Sequence, residues 1–589
     1  MRYSKTRVMS AAIIAMLSAS CDRDILDIAP QDRVAETAVW GDEALTRAYH
    51  TELYNVVNHG FGTHMASKYT DEAFNNAPCC GPDLFKNNTL TPDNVTGLGG
   101  GSNNRLYFWD RAYTYNRKIN LFLEKVESGE IDFAGVDRLV AEAHFLRAYL
   151  YNELFIRFGG VPIVTQTYEL DAIGEVEFVR ASEAEVVAFI KSEMAAAMPG
   201  LPDRYASTDT NYGRATKDAA LALLSHLTLY WASPLHNPTH DMTRWQEASD
   251  AAAALLNRGY TLYPDYEELF QLPSGSAQNE IIFARPFSAT SGHLVAGDNL
   301  PRRWGGYGGW WASNGPSQNL VDDYDMINGE PAFLDVPNQV INPASNYDPG
   351  DPYANRDPRF AATVIYNGAR IDNVGDHPGA PPGSEYEAWV SPDGEKWGID
   401  SSKHNPDNTA SSYALRKFMP PDGYPASRSI QDYNPWPIYR LAEIYLNYAE
   451  AQFELGNEDV AREYISKVRA RPSVNLPPIP ASVTGDALRK RLINERRIEL
   501  AFEGHRFFDI RRWLIAAEVE NTPIRGMIVT CPATAVADGT CADVPLNQLS
   551  YDPMRVLLQK TPYPEKQNLL PISTDELQRN PGLTQTPGW

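Results

Sequence analysis

Residues 302–314, RRWGGYGGWWASN, set Trp304, Tyr307, Trp310 and Trp311 among four glycines. Glycine costs about 1 kcal/mol in a helix interior and weakens strands, so the stretch reads as a loop, and loops run over the surface. Large rings on a surface loop suggest a particular chemistry. A sugar has an apolar C–H face and a rim of hydroxyls; a ring held flat covers the face, and nearby amide or guanidinium groups take the rim. Arg302, Arg303 and Asn314 supply such groups. Adjacent side chains seldom point the same way, so one of Trp310 and Trp311 is expected to anchor the loop from beneath. A second cluster, Asn58, His59, Phe61, His64 and Tyr69, opens another long loop, with His59 and Tyr69 as its ligand-contact candidates. Weaker candidates are Trp389, Trp397, Tyr433 and Trp436.

Other chemistries fit less well. Glu495, Glu499 and Glu503 recur at four-residue steps in a helix around 491–513, with Arg496, Arg497, Arg506 and Asp509 close by. A glycosidase needs one carboxyl of raised pKa, whereas acids one helical turn apart among arginines are paired and ionised. These residues, and Glu443 and Glu450 beside Arg440, are therefore expected to lock helix to helix. No GxSxG, HExxH, P-loop or GxGxxG motif occurs, and no catalytic residue or metal ligand set is assigned. The runs VDDYDMING and NYDPGDPYANRDPR leave calcium as a minor alternative; EF-hand spacing is absent, and Asx-turns explain such runs equally well.

The elements that must carry these loops are helices. In 135–158, Leu139, Ala143, Leu146, Leu150 and Leu154 follow helical steps, and Gly159–Gly160 with Pro162 ends the run. Similar segments lie near 105–127, 182–199, 214–232 and 243–258, and a pair at 437–456 and 458–470 is parted by Gly456–Asn457. Aromatic and Ala positions along that seam (Ala442, Tyr445, Tyr448, Ala449) resemble tetratricopeptide-type hairpins. Residues 59–104 and roughly 271–436 are instead rich in Gly, Pro, Asn and Asp, with short strand-like runs such as EIIFAR. The expected architecture is mainly α: a helical scaffold over 31–58, 105–270 and 437–515, with loop-rich insertions at 59–104 and 271–436 forming one irregular face.

The chain of 589 residues has a formal charge of −23, and the body beyond residue 20 is more acidic still, since Arg2, Lys5 and Arg7 fall in the leader. Such a body repels phosphate backbones, so no nucleic-acid partner is expected. MRYSKTRV followed by MSAAIIAMLSAS reads as a signal peptide over 1–20, too short to span a bilayer. Cys21 follows at once in a lipobox-like LSAS-C context, although Ser18 stands where leucine is usual. Lipidation of Cys21 is expected, with the lipid as sole membrane attachment. In the oxidising compartment this implies, Cys531 and Cys541 bracket a loop that a disulfide could staple. The adjacent Cys79 and Cys80 could pair with each other or with those two.

Several phrases resemble one family in its order. CDRDILDIAPQD, AEAHFLRAYLYNELFIRFGGVPIV, GRATKDAALALLSHLTLYWASP, PSQNLVDDYDMINGEP, YANRDPRFAATVIYNG, RLAEIYLNYAEAQFELGN, INERRIELAFEGHRFFDIRRW and LPISTDELQRNPGLTQTPGW are similar to blocks of the SusD/RagB nutrient-binding lipoproteins of Bacteroidetes. Thr586 and Trp589 depart from the Asn and Tyr usual in the closing block. The resemblance spans Cys21 to Trp589 and implies a single SusD-like domain of four tetratricopeptide-like hairpins under a loop-rich face. It also implies a non-catalytic outer-membrane, cell-surface lipoprotein that captures oligo- or polysaccharide and delivers it to a SusC-like TonB-dependent transporter. Surface glycanases and other glycan-binding lipoproteins would be its neighbours, and glycan contacts in this family often come from the loop before the PSQNLVD-like block. The alternatives are a binder of peptide or another non-glycan nutrient and, further off, a surface glycosidase.

Overall fold

The computed structural model of the chain describes residues 39–62, 64–74, 82–98, 106–168, 176–301, 312–370, 384–405, 408–419, 432–559 and 562–589. Cys21, Cys79, Cys80, Arg302, Arg303, Trp304, Tyr307, Trp310 and Trp311 lie outside the described residues.

Helices dominate: α1 (Glu43–Leu53), α2 (Trp109–Glu127), α3 (Val136–Phe158), α4 (Glu183–Ala197), α5 (Lys217–Ala232) and α6 (Met242–Leu256), then α7 (Leu441–Glu454), α8 (Glu458–Arg469), α9 (Gly485–Glu499) and α10 (His505–Arg512). Side-chain caps set several starts. Ser182 and Glu185 form a capping box on α4, Thr216 Oγ1 accepts from Ala219 N at the start of α5, and Asp241 caps α6. Neighbours in sequence pack as pairs: α2 on α3, α3 on α4, α5 on α6, α7 on α8, with α6 also against α7. α3 is buried almost all round, so its Leu, Ala and Phe positions form the centre of the largest apolar cluster. Each such Leu or Phe contributes about 1.5–3 kcal/mol on burial. Its polar residues are buried in pairs, as where the Arg147 guanidinium forks onto Glu193 of α4 at 2.7 and 2.8 Å.

Strands are few. β1 (Ile281–Arg285) pairs antiparallel with β2 (Trp436–Arg440), Ile281 facing Arg440 and Arg285 facing Trp436; β3 (Ile524–Thr530) pairs with β4 (Ser550–Leu558). The helical pattern expected from 437 therefore begins as strand and becomes α7 at Leu441. WPIYR is apolar enough to suit either, and its distant partner IIFAR decides.

The carboxylates at four-residue spacing do lock elements together, by a different route from the single helix expected. α9 ends at Glu499, and the chain reverses through Phe502 (φ 62°) and Gly504 (φ 90°) before α10. Glu503 therefore sits in the turn, yet meets the same cations as Glu499. Arg440 reaches Glu280 (2.9 Å), Glu499 (2.7 Å) and Glu503 (2.7 Å), Arg471 spans Glu280 and Glu499, and Arg359 spans Glu495 and Glu499, all buried. Glu443 and Glu450 do not pair with Arg440. Glu443 meets His226 at 3.1 Å, and Glu450 holds the Arg512 guanidinium at 2.5 and 2.7 Å.

Candidate ligand-binding face

The loop after α1 lies against β2 because residue 60 has no side chain. A Cβ on Gly60 would fall 2.1 Å from Cη2 of Trp436, inside any contact real atoms make. This close approach brings Phe61 into an aromatic cluster. Its ring stacks on His293 (4.0 Å between centroids, 23° apart) and meets Trp436 and Phe418 edge-on at 5.0 and 5.2 Å, while His59 meets Phe287 at 5.0 Å.

Several segments spring from this base. Phe74, preceding 75–81, pairs with Gly315. Leu300 and Ala312, flanking 302–311, are buried in the same apolar cluster as Phe61, Met65, Met419 and Trp436, and Ser313 N donates to Asp298 O (3.1 Å). Asp432, following 420–431, exchanges backbone hydrogen bonds with His293 at 2.8 and 2.9 Å. Next to it Tyr433 exposes 43% of its surface. The two loop-rich regions of the sequence thus meet in one apolar cluster, which the roots of the Trp-rich loop join.

Burial corrects one expected contact and recasts another. Asn314 is fully buried: Met65 N donates to its Oδ1 (3.1 Å), and its Nδ2 donates to Gly62 O (3.1 Å) and Asn299 Oδ1 (2.5 Å), so it positions the 59–65 loop and offers nothing to a ligand. Tyr69 is also buried, edge-on to Phe85 and Phe507. It lines a pocket of about 130 Å³ with Tyr149, His226, Trp436 and His505, its own side chain almost fully covered. His59, half-buried, borders both that pocket and the aromatic cluster. Trp436 too is buried and serves as base. Trp389 is half-buried and Trp397 exposed, on a hairpin tied to β3 through Val390 N and Val529 O (2.8 Å). His293, Phe287, Phe418 and Asp432 were not legible as site residues, since only tertiary pairing brings them to Phe61.

Two histidines of the base carry no charge. Burial lowers the His293 pKa to about 4, and burial with the Lys68 ammonium lowers that of His64 to about 4, so both imidazoles are neutral at neutral pH. Burial pushes the Asp432 carboxyl up to about 6 against the Ala296 N–H it accepts. Glu72, raised by burial to about 7, has the pKa of a general acid, but it accepts from Phe502 N beside Arg497 and the space next to it is too small for a water molecule. The Asp-rich stretches are spent within the fold: Asp325 pairs with Arg469 and Arg491, Asp322 with Arg525, Asp357 with Arg359, and Asp348 closes an Asx-turn on Gly350 N (2.8 Å). Among the described residues no group of three His, Cys, Asp or Glu is placed to hold a metal ion. Cys531 and Cys541 are joined, their Cα atoms 6.0 Å apart.

Residues 279–589, more than half of the chain, match the family model described as the SusD family. The chain belongs to the SusD family. Residues 36–229 match a second model, SusD-like, described as starch-binding associating with outer membrane. A SusD-like protein of Bacteroides ovatus is 23% identical over 520 residues, covering 87% of this chain and 83% of its own. Two solved Bacteroides fragilis proteins, a SusD-like protein and a SusD-like carbohydrate binding protein, are each 26% identical. They superpose with TM-scores of 0.73 and 0.72, over 95% and 93% of this chain and all of theirs. The SusD family is one of carbohydrate-binding proteins and not of enzymes, and its descriptions point to the outer membrane. No helix among the described residues is long and apolar enough to cross a membrane.

Proposed function

We propose that this SusD-family chain is a cell-surface lipoprotein, exported by the 1–20 leader and anchored through Cys21, that captures oligo- or polysaccharide and hands it to a SusC-like TonB-dependent transporter. The observation that carries the reading is the convergence of the Trp-rich loop's roots on a buried aromatic base. An aromatic base suits a polymer recognised by stacking, with Trp304, Tyr307 and one of Trp310 and Trp311 as platforms and Arg302, Arg303 and His59 at the hydroxyl rim. Tyr433 adds a ring at the neighbouring root. Surface glycanases that shorten the polymer are fitting neighbours. The B. fragilis carbohydrate binding protein of the same fold supports the ligand class.

Affinity gels loaded with neutral polysaccharides test the sites. The Trp304→Ala/Trp310→Ala variant is expected to lose the retardation that wild type shows, while its melting temperature stays nearly unchanged. Normal retardation of that variant overturns the site assignment.

A further inference from the structure

A second cleft, sharing no residue with the face above, lies between α2, the strand-like segment 162–168 and the C-terminal segment 576–583. Its volume is about 260 Å³. Its walls are two aromatic pairs: Trp109 with Tyr113 (5.0 Å between centroids) from α2, and Tyr168 with Phe178 (5.4 Å, edge-on) across from them.

Between the walls sits Asn116, 1% exposed. Its Nδ2 donates to Val164 O at 2.7 Å and points also at Tyr151 Oη (3.4 Å), which fixes the amide's orientation, since a flipped amide would set its oxygen against that carbonyl. Asn116 Oδ1 is then left as a buried acceptor without a hydrogen-bond partner. Such an atom costs about 1–3 kcal/mol unless something donates to it. Arg117, one position on, is exposed and has no ion pair among the described residues.

We propose that this cleft is a second saccharide site, taking a single neutral pyranose or the terminal residue of a short oligosaccharide. A hydroxyl donates to Asn116 Oδ1, Arg117 donates to ring or hydroxyl oxygens, and the aromatic pairs take the C–H faces. The volume falls just below the range of ligand clefts, about 300–1,000 Å³, so it suits a chain end and not a polymer. Residues 169–175 lie outside the described residues. The inference does not depend on the function of the Trp-rich loop.

Saturation-transfer NMR on the full chain with methyl glycosides of glucose, galactose, mannose and N-acetylglucosamine tests it. At least one glycoside is expected to bind wild type and Trp304→Ala/Trp310→Ala alike, and to bind Tyr168→Ala about tenfold more weakly, equivalent to about 1.4 kcal/mol. Arg117→Ala, at an exposed position that folding does not need, is expected to weaken it severalfold. The proposal is overturned if no glycoside of the set binds the loop variant, or if one binds it while Tyr168→Ala and Arg117→Ala bind as wild type does. Polysaccharide retardation of the loop variant reports separately on the first site.

Discussion

Replacing Glu499 with glutamine keeps the side chain's shape and removes its charge from a carboxylate that three buried arginines share. Its Oε1 accepts from Arg440 and Arg471, each at 2.7 Å, and its Oε2 from Arg359 at 2.9 Å, with all four side chains buried. In Glu499→Gln the amide NH2 faces at least one guanidinium, and three buried cations lose their common anion. Removing one partner of a buried pair costs about 3–5 kcal/mol, so a loss of about 4 kcal/mol is expected at pH 7. Burial alone would raise the Glu499 pKa; Arg471, Arg440 and Arg359 overrule it and hold the carboxyl well below the usual carboxylate range. A depressed folded pKa gives stability that is present above the unfolded value of about 4.3 and lost as pH falls. Urea unfolding should therefore show the gap between wild type and variant narrowing by about 1.4 kcal/mol for each pH unit below about 4.3. Polysaccharide retardation under conditions where both proteins are folded should be equal. A gap under about 1 kcal/mol, together with a sugar-releasing activity that vanishes in the variant, would falsify the locking role and return these carboxylates to catalysis.

Gly60→Ala places a methyl 2.1 Å from the Trp436 ring, so the ring or the 59–65 loop must give way by more than 1 Å. The expected cost is about 1–3 kcal/mol, with weaker glycan retardation and an unchanged helical circular dichroism spectrum; wild-type binding would show that the loop's seat does not matter. Replacing Cys531 and Cys541 together with serine opens a loop of sequence separation 10 and should cost about 2–3 kcal/mol in non-reducing denaturation, with glycan binding intact. If reductant destabilises the double variant as much as wild type, the bond is not what holds that end of β3.

Local signals in the sequence specified the scaffold. The 3.6-residue period and flanking Gly or capping residues placed helices at 135–158, 182–199, 214–232 and 243–258, within a few residues of those observed. The misplacements have tertiary causes. WPIYR becomes strand because IIFAR, far off in sequence, pairs with it, and the helix expected around 491–513 breaks where Gly504 takes a left-handed turn. At the candidate face, composition marked the loops and Trp and Tyr marked the chemistry, but burial is not a local property. Asn314 and Tyr69 have the residue types of sugar contacts, and only the folded chain shows that one braces a loop and the other lines a pocket. The acceptor left over on Asn116 is likewise invisible until Val164 has claimed the amide's other end.

The loop roots are held largely by main-chain hydrogen bonds: Phe74 with Gly315, His293 with Asp432, Ser313 with Asp298. Main-chain bonds are indifferent to side-chain identity, whereas the neighbouring arginine lock depends on the side chains of Arg440, Arg471 and Glu499. The main-chain bonds just named draw on none of the side chains between Pro301 and Ala312. Substitutions within 302–311 should therefore leave those root bonds in place, much as a tool changes its bit and keeps its handle. Exchanging 302–311 between members of this fold should accordingly move the preferred glycan while leaving the melting curve where it was.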